Sequence, residues 1–164
     1  MPQKQTIKNG KGKVLSYYVD GVVKESYTFQ NGLKTGPFEE RTANGVLSVA
    51  GAFVNGKKDG VWEFYSYNTV LEKRVGYALD SLDGEYLVML SEKDTLTFGN
   101  YKKGQKTGAW IWFNENAVID MTGYFMEGKQ DSIWHYYFPN GQLSYVAEFE
   151  KDLRTGNWTY YYPN

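Results

Sequence analysis

"GVWEFYSYN" occupies residues 60–68, and close variants return as "GAWIWFNEN" at 108–116, "SIWHYYFPN" at 132–140 and "GNWTYYYPN" at 156–164. The phrase opens at Gly12, Gly36, Gly60, Gly84, Gly108 and Gly156, with Ser132 in the one gap, so every step is 24 residues without insertion or deletion. Two residues further on stand Val14, Phe38, Trp62, Tyr86, Trp110, Trp134 and Trp158. At offset seventeen stand Phe29, Phe53, Tyr77, Tyr101, Phe125 and Phe149, an aromatic ring each time. Offset twenty holds Gly32, Gly56, Asp80, Gly104, Gly128 and Asp152, all turn formers. A fixed period of this kind marks a repeat architecture, and it decides the fold. Six units starting at 12, 36, 60, 84, 108 and 132, and a partial unit from 156, cover residues 12–164; residues 1–11 are an N-terminal extension.

Each unit holds two apolar runs separated by turn chemistry. The first, such as "VWEFYSY" at 61–67, is short and aromatic; the second, such as "LSVAGAFV" at 47–54, is rich in strand formers. Between them lie "NG" at 44–45 and 140–141 or "DG" at 20–21, the strongest short-range hairpin signals. No room is left for a helix. Offset fifteen is small in most units, as Gly51, Gly99, Gly123 and Ala147 against Tyr27 and Val75, and a missing side chain inside a strand marks close approach of something bulky. The ring of a neighbouring Trp or Tyr is the expected occupant. The spacing therefore predicts an all-β protein: an elongated, curved, single-layer antiparallel sheet of tandem 24-residue hairpins with roughly thirteen strands. The unit 84–107 has drifted, with Tyr86 for Trp and "SEKD" at 91–94 in place of an Asn-Gly turn.

Composition agrees. Aromatic residues make up 18%, with 15 Tyr, and there are 18 Gly, a pairing that suits pleated surfaces and tight turns. The net charge of −1 gives no bulk field for nucleic acid, and without cysteine there is no disulfide or thiolate metal site. The start, "MPQKQTIKNG", has no signal-peptide apolar stretch, which leaves a cytoplasmic protein or the mature form of an exported one.

The pattern Gly-x-Trp-x-x-Tyr, then Asn-Gly-x-Leu, then Gly-x-Tyr/Phe-x-x-Gly, resembles the MORN repeat, and most closely its bacterial YwqK-type, antitoxin-like variant. "GAFVNGKKDGVWEFY" at 51–65 and "GYFMEGKQDSIWHYYFPNGQL" at 123–143 carry the likeness. The resemblance implies assembly scaffolds, partner-docking surfaces or anionic-lipid binders, with a toxin as one partner class, and it brings no shared catalytic residues or cofactor.

Candidate chemistry is sparse. "GAFVNGKK" at 51–58 and "GYFMEGKQ" at 123–130 come within one residue of a phosphate loop, but Lys58 and Gln130 stand where Ser or Thr must, and no helix follows. His135 is the only histidine and sits between Trp134 and Tyr136 in a strand, with no nucleophile to serve. The reading is therefore not an enzyme, with no catalytic residue, metal or cofactor. Trp62, Trp110, Trp134 and Trp158, with Phe29, Phe53, Tyr77, Tyr101, Phe125 and Phe149, are read as structural.

Two repeated surface features remain. Strand alternation puts Tyr65, Phe113, Tyr137 and Tyr161 on the face opposite the tryptophans, in one column with Tyr17 and Met89. These rings are either an exposed protein-binding site or a ladder covered by long neighbours. Offset twenty-two reads Lys34, Lys58, Leu82, Lys106, Gln130 and Arg154, which predicts a solvated rim of cations beside Asp59, Asp83 and Asp131. The expected function is a protein–protein interaction or scaffold module, monomeric or weakly dimeric. The alternative is anionic lipid or polyanion binding through Lys34, Lys58, Lys106 and Arg154.

Overall fold

The chain bends back on itself at turns that recur with the period and carry left-handed residues such as Gly45 and Gly56. The computed structural model describes residues 3–8, 10–91 and 94–163. Met1, Pro2, Asn9 and Asn164 lie outside them, as do Glu92 and Lys93 of the drifted "SEKD" loop.

All regular structure among the described residues is strand, and the chain divides into two compact units, Met1–Ser81 and Leu82–Asn164. The first contains β1 (Gln3–Lys8), β2 (Lys11–Tyr17), β3 (Val23–Gln30), β4 (Leu33–Arg41), β5 (Leu47–Val54), β6 (Lys57–Tyr65) and β7 (Leu71–Ala78). Each pairs antiparallel with the next. The second contains β8 (Ser81–Met89), β9 (Thr95–Lys102), β10 (Gln105–Phe113), β11 (Ile119–Met126), β12 (Lys129–Tyr137), β13 (Leu143–Glu150) and β14 (Leu153–Tyr160), paired the same way. The expected all-β antiparallel hairpin array is what the chain forms. It has one strand more than the repeats count out, because β1 pairs with β2 from within the N-terminal extension.

Two kinds of turn alternate along one unit. The two-residue turns are Asn31-Gly32, Asn55-Gly56, Leu79-Asp80, Lys103-Gly104, Glu127-Gly128 and Lys151-Asp152, with φ positive at both residues. That is the mirror-image turn whose twist matches the flanking strands. The second residue of such a turn also donates its N–H to the carbonyl one repeat back: Gly56 to Lys34, Asp80 to Lys58, Gly104 to Leu82, Gly128 to Lys106 and Asp152 to Gln130, at 2.7–3.0 Å. The turns are thereby laced to one another as well as to their own strands.

The longer turns close by paired backbone bonds such as Thr42 N–H to Val46 O and Gly45 N–H to Thr42 O. Their left-handed position recurs every 24 residues as Gly21, Gly45, Thr69, Ala117 and Gly141. Thr69, at φ 64, is β-branched and strained there. Thr69→Gly is expected to raise stability by about 0.5–1 kcal/mol, the strain relief exceeding the extra chain entropy glycine loses. Urea unfolding of the variant, with Ala117→Gly beside it as the milder case, measures this. A loss of stability at Thr69 would mean the side chain is held by something worth more than the strain.

The opening Gly-x-Trp is a bulge. In β6 the register steps from Ala50↔Glu63 to Ala52↔Asp59, so Gly60, Val61 and Trp62 together face the single residue Gly51. The same step sets Gly108–Trp110 against Gly99 and Ser132–Trp134 against Gly123. A left-handed residue starts each bulge, Gly60 at φ 74, Gly108 at φ 69 and Ser132 at φ 62. The extra residues lift the indole over the partner strand and lay it on the glycine. A Cβ built on Gly51, Gly99 or Gly123 would fall 2.4, 2.1 or 2.2 Å from the ring of Trp62, Trp110 or Trp134. The glycine inside the strand is thus explained by the ring expected beside it.

Candidate functional site

One face of each unit is closed by tryptophan. Trp62, Trp110 and Trp134 are at most 2% exposed, and their indole N–H groups donate to Ala52 O, Asn100 O and Asp131 O at 3.1–3.2 Å. Phe125 and Phe149 are buried against Trp134, edge-on at 5.1 and 5.9 Å between ring centres. Phe29, Phe53, Tyr77 and Tyr101 are half-buried on the same side, as is Trp158, whose place in the repeat faces Ala147 rather than a glycine. From Trp110 the rings continue through Trp112, Trp134, Tyr136 and Tyr145, each stacked on the next, the closest pair being Tyr136–Tyr145 at 4.1 Å.

The cations expected as a solvated rim at offset twenty-two lie over rings instead, Lys34, Lys58 and Lys106 half-buried and Arg154 exposed. Lys34 Nζ lies 4.4, 5.1 and 5.2 Å from the ring centres of Tyr27, Phe38 and Phe53. Lys58 Nζ lies 4.4, 5.3 and 6.0 Å from Trp62, Tyr77 and Phe64, and Lys106 Nζ 4.6, 5.0 and 5.3 Å from Trp110, Phe125 and Trp112. Arg154 sets its guanidinium carbon 3.9 Å from Trp158. In a straight strand, four residues separate Lys58 from Trp62 by about 13 Å. The bulge uses up that distance, and the ammonium folds onto the ring, where the negative π-face attracts it. Burial pushes the Lys106 ammonium below its ordinary pKa, and the three rings offset that cost. The aspartates beside the cations serve the turns instead: Asp59 accepts from Leu79 N–H and Asp83 from Lys103 N–H.

At Gln130 the rings are all present, Trp134, Tyr136 and Phe149, but the cation is missing. Gln130→Lys is expected to stabilise the fold by about 0.5–1 kcal/mol, the range of an exposed to half-buried cation–π contact. The positive field of Arg154, which reaches Tyr136, holds the gain toward the lower end. Thermal unfolding of the variant measures it, and an unchanged midpoint would show that the glutamine already fills the space as well.

The opposite face is less closed. Tyr65, Phe113 and Tyr137 are half-buried there, with Tyr17 and Met89 in the same state, and Tyr161 is 46% exposed. Tyr65 donates its hydroxyl to Glu63 Oε2 at 2.6 Å, and Arg74 holds Glu63 Oε1 at 2.8–2.9 Å. The bond from Tyr65, with Arg74 behind it, lowers the Glu63 pKa against the opposing effect of burial; the same bond raises that of Tyr65. The column singled out from the sequence is therefore divided. Tyr65 is tied into its own unit, Phe113 and Tyr137 are partly covered, and Tyr161 is open.

The residues that dominate this face in the second unit are others. Phe98, Tyr124, Met126 and Ile133 are 36–54% exposed. Cross-strand register places Leu87, Phe98, Ile111, Thr122, His135 and Val146 in one row from β8 to β13. The matching row of the first unit reads Leu15, Ser26, Glu39, Ala50, Glu63 and Arg74. Comparison of single offsets between units was the signal that could have found this contrast. Among the described residues no group of three or more His, Cys, Asp or Glu is placed to hold a metal ion. No protein-family model matches the chain, and no curated protein matches it.

Proposed function

We propose that the chain is a non-enzymatic protein-docking module built on MORN-type hairpin repeats, and that it docks through the face opposite the tryptophans. The supporting observation is the cluster of Phe98, Tyr124, Met126 and Ile133, large apolar side chains exposed together on one sheet face. Scattered exposed hydrophobes are ordinary, whereas several large ones on one face over four successive strands mark an interaction surface. The resemblance to the antitoxin-like variant makes a toxin protein one partner to try first. Lipid binding through Lys34, Lys58, Lys106 and Arg154 is the weaker reading, because those cations already lie over rings. Affinity capture with the full chain tests the proposal. A protein retained by the wild type and released by Phe98→Asp is the expected result. Retention unaffected by that change, or binding to anionic vesicles at physiological salt in place of any protein, would refute it.

A further inference from the structure

The two units differ in charge as well as in surface. Met1–Ser81 carries 11 Lys and Arg against 8 Asp and Glu, a formal +3, and Leu82–Asn164 carries 7 against 11, a formal −4. The near-neutral total hides this opposition. On the docking face of the second unit the acids stand among the apolar residues: Asp131 is opposite Tyr124 and Glu148 opposite Ile133. Glu150, opposite the 70% exposed Leu153, extends the series. The two lysines of that face, Lys102 and Lys129, pair at the two-residue turns, opposite Gln105 and Met126, at one border. In the first unit the carboxylates of the matching row, which stand where the second unit has Leu87, Ile111 and His135, are neutralised in place, Glu39 by Arg41 and Glu63 by Arg74.

Resting on the docking reading, we infer that the occupant of this face is a basic amphipathic helix of a partner protein. The row from Leu87 to Val146 crosses six strands, about 24 Å at the ordinary strand spacing of about 4.8 Å. A helix of about 16 residues covers that length. Its apolar side chains at i, i+3, i+4 and i+7 recur about every 5 Å, close to the strand spacing, so a stripe of them meets Leu87, Phe98, Ile111 and Val146 in step. Lys or Arg flanking the stripe then lies over Asp131 and Glu148. An acidic helix of the same apolar pattern would bring like charges together over a half-desolvated surface, so charge selects between partners that apolar contact alone would accept. The first unit exposes Val54 and Val61 on this face, but its row is polar and internally paired at Glu39 and Glu63, so the apolar stripe has nothing to meet between them.

The test uses the full chain and two helical peptides of about 16 residues with one leucine stripe, one flanked by lysine and the other by glutamate. The lysine peptide is expected to bind at least about tenfold tighter than the glutamate peptide and to weaken with added salt. Ile133→Asp, at an exposed position that folding tolerates, is expected to weaken it a further tenfold or so, while Ala50→Asp in the first unit leaves it unchanged. Glu148→Lys is expected to narrow or reverse the preference between the two peptides. Equal binding of both, no binding of either, or indifference to Ile133→Asp would overturn the inference. Sedimentation showing a dimer that Ile133→Asp dissociates would also overturn it, in favour of a second copy of the chain. A captured partner lost on Phe98→Asp, with no peptide preference, would leave the docking reading standing and remove the basic helix.

Discussion

Trp134→Ala is expected to lower stability by about 3–5 kcal/mol, the range for emptying a buried aromatic position. The ring is 1% exposed and is gripped from every side: Trp112 stacks on it at 5.7 Å, Tyr136 at 6.3 Å, and Phe125 and Phe149 meet it edge-on. Its indole N–H also satisfies the carbonyl of Asp131, which the substitution leaves to water. Neighbours cannot close the space, since the rings around it are themselves held by the next strand. Trp158→Ala is the internal comparison. That ring is half-buried, and its loss is expected to be about 1–2 kcal/mol. Urea unfolding followed by far-ultraviolet circular dichroism compares the two without depending on the deleted fluorophore. In a repeat array each unit contacts mainly its neighbours, so the Trp134 variant should also lose sharpness of transition. Equal losses at Trp134 and Trp158 would show that burial of the indole is not what holds the repeat.

The period of 24 was legible because every unit repeats the same backbone demands. Left-handed positions fall on Gly32, Gly56, Gly104 and Gly128 in register, and the rings fall on fixed offsets between them. What no alternation rule displays is the bulge. A two-residue step in register at Gly60, Gly108 and Ser132 brings a cation from four residues away onto an indole, which converts an expected rim of charge into packing. The partial covering of Tyr65 escapes in the same way. Its hydroxyl finds Glu63 two residues back, and Glu63 is held by Arg74 from the next strand, a partnership that depends on cross-strand register. Drift between units, rather than the repeat itself, carries the candidate site. The offsets that read Glu39 and Glu63 in the first unit read Leu87, Ile111 and His135 in the second, and averaging over repeats erases that difference.

Gly123→Ala should be nearly as damaging as loss of the tryptophan it supports, although it adds only one methyl group. The new Cβ would stand 2.2–2.5 Å from three carbons of the Trp134 ring, far inside contact distance. Gly123 has no positive φ, so backbone conformation is not the obstacle and alanine is otherwise acceptable in a strand. The clash must be relieved by moving the indole or parting β11 from β12. Moving the indole breaks its bond to Asp131 and disturbs its stack with Trp112; parting the strands opens the register that builds the bulge. Overpacking of this kind costs about 1–3 kcal/mol where a core can adjust, and more where it cannot, so a loss of at least about 3 kcal/mol is expected. Two variants separate the causes. Trp134→Ala in the Gly123→Ala background removes the colliding ring, and the double variant should be clearly more stable than the sum of the single losses predicts, a coupling of about 1 kcal/mol or more. Gly128→Ala, in a turn with φ 81, is damaged by backbone strain instead and should show no such rescue. Additive losses for Gly123→Ala and Trp134→Ala would mean that the missing side chain at this offset is there for some reason other than the ring.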